Sequence, residues 1–215
     1  LQQEAVETVM RGEDVLVLMP TGGGKSLCYQ VPALCRDGMG LVISPLIALM
    51  DDQVAGLRQL GIRAAALHSE LDAEERDILH QDLRNNQIDI LYISPERLLQ
   101  PATSNFLSKR RISLIAIDEA HCVSAWGHEF RPEYRALASL PELFPNVPRI
   151  ALTATADPRT RDDILNVLGM PDARVLMASF HRPNLFMEAR PKGGESKQLT
   201  EALESHRSGA AIVYC

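Results

Sequence analysis

The chain has 215 residues, 46% of them hydrophobic and 23% charged, with a net charge of −6, which suits one large globular domain or one domain and the start of another. No run approaches the roughly 18 consecutive apolar residues of a membrane span, and no basic stretch leads into an apolar core as in a signal peptide, so neither feature is read in these residues. The acidic balance counts against a broadly basic nucleic-acid binder but leaves room for a local groove that grips phosphate.

The first residues, from Leu1, follow an amphipathic helical pattern. Apolar strand patterns come next at 14–19, 40–44, 64–67, 89–93, 114–117, 149–153 and 175–178. Helical patterns separate them at 25–35, 46–60, 73–85, 133–140 and 158–168, the last beginning at Pro158, a residue suited to a first turn. Such alternation predicts an α/β domain whose central parallel sheet is flanked by helices. The basic run Lys109-Arg110-Arg111 reads as a solvated loop. Residues 179–194, richer in Pro, Arg, Gly and Lys, read as a linker. A helix at 197–205 and a buried-strand pattern at 210–215 follow. A strand needs neighbours for its backbone groups, so residues 195–215 read as the beginning of a second domain in a piece of a longer protein. The four cysteines, Cys28, Cys35, Cys122 and Cys215, make no C-x-x-C pair and no zinc-finger spacing, which points to buried, reduced thiols in a cytosolic protein.

Two elements carry chemistry. After the first strand comes Met19-Pro20-Thr21-Gly22-Gly23-Gly24-Lys25-Ser26, leading into an apolar helix. Strand, glycine loop and helix in that order form a phosphate cradle. Backbone N–H groups of Thr21, Gly22, Gly23 and Gly24 turn inward at a helix N-terminus. Lys25 reaches the β- and γ-phosphates, and the Ser26 hydroxyl ligates Mg²⁺. The usual first glycine of this motif is Met19 here, and a chance glycine-rich turn is the alternative. The second element is the apolar strand ending in Asp118-Glu119-Ala120-His121. Carboxylates at the carboxyl end of a parallel strand lie at the ligand edge of the sheet. Asp118 suits a magnesium ligand and Glu119 an orienting or general-base role toward water. His121 is either a third catalytic member or a helix-start residue bonded to backbone. The two elements together predict hydrolysis of a nucleoside triphosphate. The absence of an N-K-x-D motif from the sequence favours ATP.

The runs M-P-T-G-G-G-K-S-L-C-Y-Q, S-P-L-I-A-L-M at 44–50, I-S-P-E-R-L at 93–98, D-E-A-H-C and A-L-T-A-T-A at 151–156 are spaced as in superfamily-two helicases. The segment 122–134, C-V-S-A-W-G-H-E-F-R-P-E-Y, is similar to the aromatic-rich loop of RecQ-type DNA helicases, and F-H-R-P-N-L at 180–185 to the junction that follows their first motor domain. The resemblance covers essentially the whole chain and is closer to bacterial members. It implies two RecA-like domains with ATP between them, the first at 1–178, a linker at 179–194 and the second begun at 195–215. It implies 3′-to-5′ movement on single-stranded and partially duplex DNA, work in repair and recombination, a cytoplasmic, nucleoid-associated location, and a zinc module, winged helix and contacts to a single-stranded-DNA-binding protein only in regions beyond residue 215. Gln2 matches the adenine-reading glutamine, with Gln3 as the register alternative. The arginine finger of the second domain is absent from the chain, so residues 1–215 alone are expected not to unwind DNA.

The residues themselves support a coupling role for 122–134. Trp126 and Phe130 suit base stacking, Arg131 suits stacking or phosphate pairing, and His128 sits between them and the acids. Packing of Trp126 and Phe130 in the core is the alternative. Ser44, Pro45, Gln53, Arg97, Thr153 and Thr155 fall at or just after strand ends, where backbone and hydroxyl groups can grip DNA phosphates or link DNA to the nucleotide. Ordinary turns and caps explain each of them equally well.

Overall fold

A computed structural model describes residues 1–126, 130–179, 184–191, 193–205 and 209–214. The described chain divides into two compact units, Leu1–Phe180 and His181–Cys215.

The first unit opens with helix α1 (Gln2–Met10) and strand β1 (Val15–Leu18), and then α2 (Leu27–Cys35), β2 (Met39–Ile43), α3 (Ile47–Gln59), β3 (Ala64–Leu67), α4 (Ala73–Arg84) and β4 (Ile90–Ile93) alternate. Two short helices, α5 (Pro95–Leu98) and α6 (Pro101–Leu107), lead to β5 (Ile112–Ile117) and a 3-10 turn at Ala120–Val123. Helices α7 (Pro132–Arg135) and α8 (Leu140–Leu143), strand β6 (Arg149–Thr153), α9 (Pro158–Val167) and β7 (Arg174–Met177) complete it. The seven strands form one sheet in the order β3-β4-β2-β5-β6-β1-β7, and every pairing is parallel.

Parallel strands covered on both faces are apolar throughout, and β1 to β5 are buried at every position. Alternate side chains serve opposite faces. Val15, Val17, Val42, Ile90, Leu114 and Leu152 pack with Ala5, Val9, Cys28, Tyr29, Met50 and Val54 of α1, α2 and α3. Leu16, Leu18, Leu41, Ile43, Leu91, Ile115 and Ile117 pack on the other face with Leu79, Leu98, Leu107, Tyr134, Leu137 and Ile164.

The seven strands predicted between residues 14 and 178 all form within a residue or two of their expected bounds. Three expectations for this first unit need correction. The helix expected at 133–140 is broken into α7, a 3-10 turn at Ala136–Ser139 and α8, because Pro141 lacks an N–H and fits only a new first turn. Helices α5 and α6 were not expected, although each begins on a proline, after Ser94 and Gln100. Cys28 and Cys122 are buried, but Cys35 is exposed, as the last residue of α2 where the chain leaves the packed face.

In the second unit, helix α10 spans Glu195–Ser205. A Lys197–Glu201 pair one turn apart and the Gln198 N–H bond to the Gly194 carbonyl (3.0 Å) support it. The expected strand at 210–215 does not form over 210–214, which are exposed and carry no ladder bonds. No partner strand lies beside them within the described residues, and an unpaired strand leaves its backbone to water.

Candidate nucleotide site and its aromatic loop

The site grows from the strand order. Strand β6 lies between β1 and β5, so the loops after β1 and β5 flank the carboxyl end of β6. The Thr153 carbonyl accepts the Met19 N–H (3.1 Å). Its hydroxyl meets His121 Nδ1 at 2.9 Å. One residue at the carboxyl end of β6 therefore joins the glycine loop to the acidic turn, although they are almost a hundred residues apart.

In the glycine loop, Gly22 and Gly24 hold φ of 78° and 81°, left-handed backbone that favours glycine. A Cβ on Gly23 would lie 2.6 Å from Met19 Cγ. Met19, which stands where the motif usually has glycine, is thus accommodated by the absence of a side chain at Gly23. Gln2 Nε2 donates to the Gly23 carbonyl (3.0 Å), whereas Gln3 Nε2 donates to Glu7 within its own helix. Gln2 is therefore the glutamine that faces the loop. The Lys25 ammonium donates to the Met19 carbonyl (3.2 Å). Thr21 is exposed and Ser26 half-buried at the start of α2.

At the end of β5, Asp118 is 9% exposed. Burial pushes its carboxyl up to about 6, the neighbouring Glu119 charge adds to this, and the Glu119 N–H, Lys25 and His121 oppose it. Glu119 goes the other way, held below the usual carboxylate range first by its hydrogen bond to His121, with the His121 and Lys25 charges helping against desolvation. Two adjacent carboxylates are thus driven apart in proton affinity, a pattern common where acids divide roles. Glu119 adopts φ 46° and ψ 45°, a left-handed conformation that costs a non-glycine residue about 1–3 kcal/mol.

The hydrogen bonds assign a direction to this cluster. The Thr153 hydroxyl donates to the Thr155 carbonyl (3.0 Å). With the hydroxyl so oriented, its oxygen accepts from His121 when Nδ1 carries the proton. The same Nδ1 lies 3.2 Å from Glu119 Oε2. His121 is thus part of the acid cluster rather than a cap. Thr153 is fully buried and Thr155 exposed.

The aromatic segment leaves from the 3-10 turn. Trp126 is 70% exposed and Phe130 39% exposed, so neither belongs to the core. Arg131 anchors the return: its N–H donates to the Cys122 carbonyl (3.0 Å) and its Nη1 to the Pro45 carbonyl (3.2 Å). His128 lies outside the described residues, as do Phe180, His181, Arg182 and Pro183 of the junction.

The other expected DNA-side residues divide. Ser44 is buried, and its N–H donates to the Ile93 carbonyl (3.1 Å). Gln53 Oε1 accepts from Gln30 Nε2 (2.9 Å), which also donates to the Tyr92 hydroxyl (3.0 Å). Arg97 donates from Nη1 to Gln100 Oε1 (2.9 Å). Gln30, Tyr92 and Tyr134 were not singled out from the sequence, where each reads as an ordinary residue of an apolar run. Among the described residues no group of three or more His, Cys, Asp or Glu side chains could hold a metal ion by itself. No described helix is long and apolar enough to cross a membrane.

The DEAD/DEAH box helicase family matches residues 1–164. Over its full length the chain is 44% identical to the ATP-dependent DNA helicase RecQ of Haemophilus influenzae and to that of Pasteurella multocida, and spans 35% and 34% of their lengths. It is 41% identical to the probable ATP-dependent DNA helicase RecS of Bacillus subtilis, spanning 43% of it. The fold is that of the helicase MrfA (TM-score 0.70, 19% identity, 96% of this chain and 34% of that one) and of the Hef helicase domain of Pyrococcus furiosus (TM-score 0.64, 21% identity, 85% and 38%).

Proposed function

The chain belongs to the DEAD/DEAH box helicase family, and from that premise we propose that it is the nucleotide-binding part of a RecQ-type DNA helicase that couples ATP hydrolysis to 3′-to-5′ movement on single-stranded DNA. One observation carries the proposal. A hydrogen-bonded cluster of Glu119, His121 and Thr153 stands beside the glycine loop, and the chain runs from it directly into a segment with exposed Trp126 and Phe130.

In this reading Gln2 reads adenine, and the N–H groups of residues 21–24, with Lys25, cradle the phosphates. Magnesium takes only one or two protein ligands where phosphates complete its shell, and the Ser26 hydroxyl and Asp118 carboxylate are hard oxygen donors of that kind. When bound, the ion neutralises charge developing on the phosphates. Glu119, kept ionised by His121, orients the attacking water and accepts its proton. Trp126 and Phe130 stack on bases, which tolerates any sequence and favours strand structure such as tails and forks. Residues 1–178 act as the first motor domain, 179–194 as the linker, and 195–215 as the start of the second. Repair and recombination, the DNA-bearing cytoplasm of a bacterium, and a single-stranded-DNA-binding protein as partner are the setting the family suggests.

The test uses the full-length protein. ATP turnover is measured alone, with single-stranded DNA and with single-stranded RNA, and unwinding is measured on duplexes with 3′ or 5′ tails. Stimulation by DNA and unwinding of the 3′-tailed duplex are expected. Stimulation by RNA alone, or preference for the 5′ tail, overturns the reading.

A further inference from the structure

A buried side chain links the neck of the aromatic loop to the acids. Tyr134, on α7, is fully buried, and its hydroxyl donates to the Asp118 carbonyl at 3.0 Å. That carbonyl belongs to the peptide that joins Asp118 to Glu119. The same peptide's N–H, on Glu119, donates to Asp118 Oδ1 (3.0 Å), and the Asp118 N–H donates to the Ile43 carbonyl (2.9 Å). The peptide is therefore held on both its polar atoms, and its orientation is what places Glu119 in the left-handed region. Rotating it would relax Glu119 and carry its carboxylate away from His121. The bond to Tyr134 opposes that rotation, because a buried carbonyl without a donor is costly.

Tyr134 is also tied to the loop. Its N–H donates to the Arg131 carbonyl (3.0 Å), and the Arg131 N–H closes the neck on Cys122 (3.0 Å). Arg131 Nη1 reaches the Pro45 carbonyl after β2 (3.2 Å). A displacement of the exposed tip at Trp126 and Phe130 thus pulls on a neck whose next inward contact is the peptide between the two acids. Burial raises the Tyr134 hydroxyl well above its ordinary range, so it remains a neutral donor at any working pH.

We propose that Tyr134 is a positioning residue that fixes the 118–119 peptide, and with it Glu119, according to the state of the aromatic loop. This rests on the ATP- and DNA-dependent reading above and adds the physical link that the reading lacks.

The decisive variant is Tyr134→Phe in the full-length protein, which keeps the ring and removes one hydroxyl. Turnover is measured with and without single-stranded DNA, together with KM for ATP, the affinity for a labelled oligonucleotide and the melting temperature. The ratio of DNA-stimulated to unstimulated turnover is expected to fall by about five-fold or more, the scale of one hydrogen bond, through kcat and with KM and DNA affinity unchanged. Leu137→Ala, which loosens the same buried segment without removing a hydrogen-bond donor, controls for packing and is expected to lower the melting temperature while leaving the ratio unchanged. An unchanged ratio in Tyr134→Phe, or an equal fall in Leu137→Ala, overturns the inference while DNA stimulation of the wild type leaves the underlying reading intact. A wild type that DNA does not stimulate overturns both.

Discussion

The acidic turn at the end of β5 and the tip of the aromatic loop are separated by only a few residues, yet they are built on opposite principles. Asp118 is nearly buried, and Glu119, His121 and Thr153 each have a partner inside the protein. Trp126 and Phe130 turn large apolar surfaces to solvent. The first region is preorganised, so its polar groups need little rearrangement when charge develops nearby. The second gives up burial worth about 1.5–3 kcal/mol for each large side chain, which leaves both rings available to stack on bases in the proposed function. Under the proposed function, chemistry and recognition are separated over one short stretch of chain and joined at its neck.

The sharpest way to break this contrast is at the acids. Glu119→Gln in the full-length protein is expected to keep ATP binding and to lower turnover by about 10²–10⁴-fold, the range of general base catalysis. Turnover close to wild type would remove Glu119 from that role.

A second test probes how far burial strains the acidic turn. Burial holds the folded Asp118 carboxyl at about 6, above the 3.8 of an ordinary aspartate. Between these values the unfolded chain has lost the proton and the folded protein keeps it, so the Asp118 contribution to stability falls as pH rises through this window and stays lost above it. Its scale is on the order of 3 kcal/mol. Without nucleotide and magnesium, denaturant unfolding of wild type and Asp118→Asn should diverge from about pH 4 to 6, with the variant gaining relative stability. Parallel curves would show that burial does not hold this proton.

The smallest effect concerns the tip. Trp126→Ala is expected to weaken single-stranded DNA binding by about 1–3 kcal/mol, roughly 5- to 150-fold. Stability should change by no more than about 0.5 kcal/mol, because the ring is exposed. A large loss of stability would place the indole in the core after all, and the contrast would fail.

Much of this was legible without coordinates, and the reason differs from residue to residue. The seven strands were visible because parallel strands buried on both faces must be apolar along their length. The glycine loop was visible because left-handed backbone at Gly22 and Gly24 demands glycine at set positions. Trp126 was visible as a residue type and ambiguous as a location, since an indole packs in cores as readily as it stacks on bases. The helix expected at 133–140 failed because its periodicity was real while Pro141 set the backbone.

The chemistry of the site was set by local sequence: the loop at residues 19–26, the acids at 118 and 119, and the aromatic segment that follows. Each works through backbone geometry or residue type within a few positions, and such constraints are written in order along the chain. The tertiary structure decided which of two glutamines faces the loop, that Thr153 bonds His121 and joins the two halves of the site, that Gln53 is engaged by Gln30, and that Tyr134 holds the peptide between the acids. These pairings link residues brought together by strand order and helix packing, and no local pattern specifies which hydroxyl or amide will meet which carbonyl once the sheet has closed.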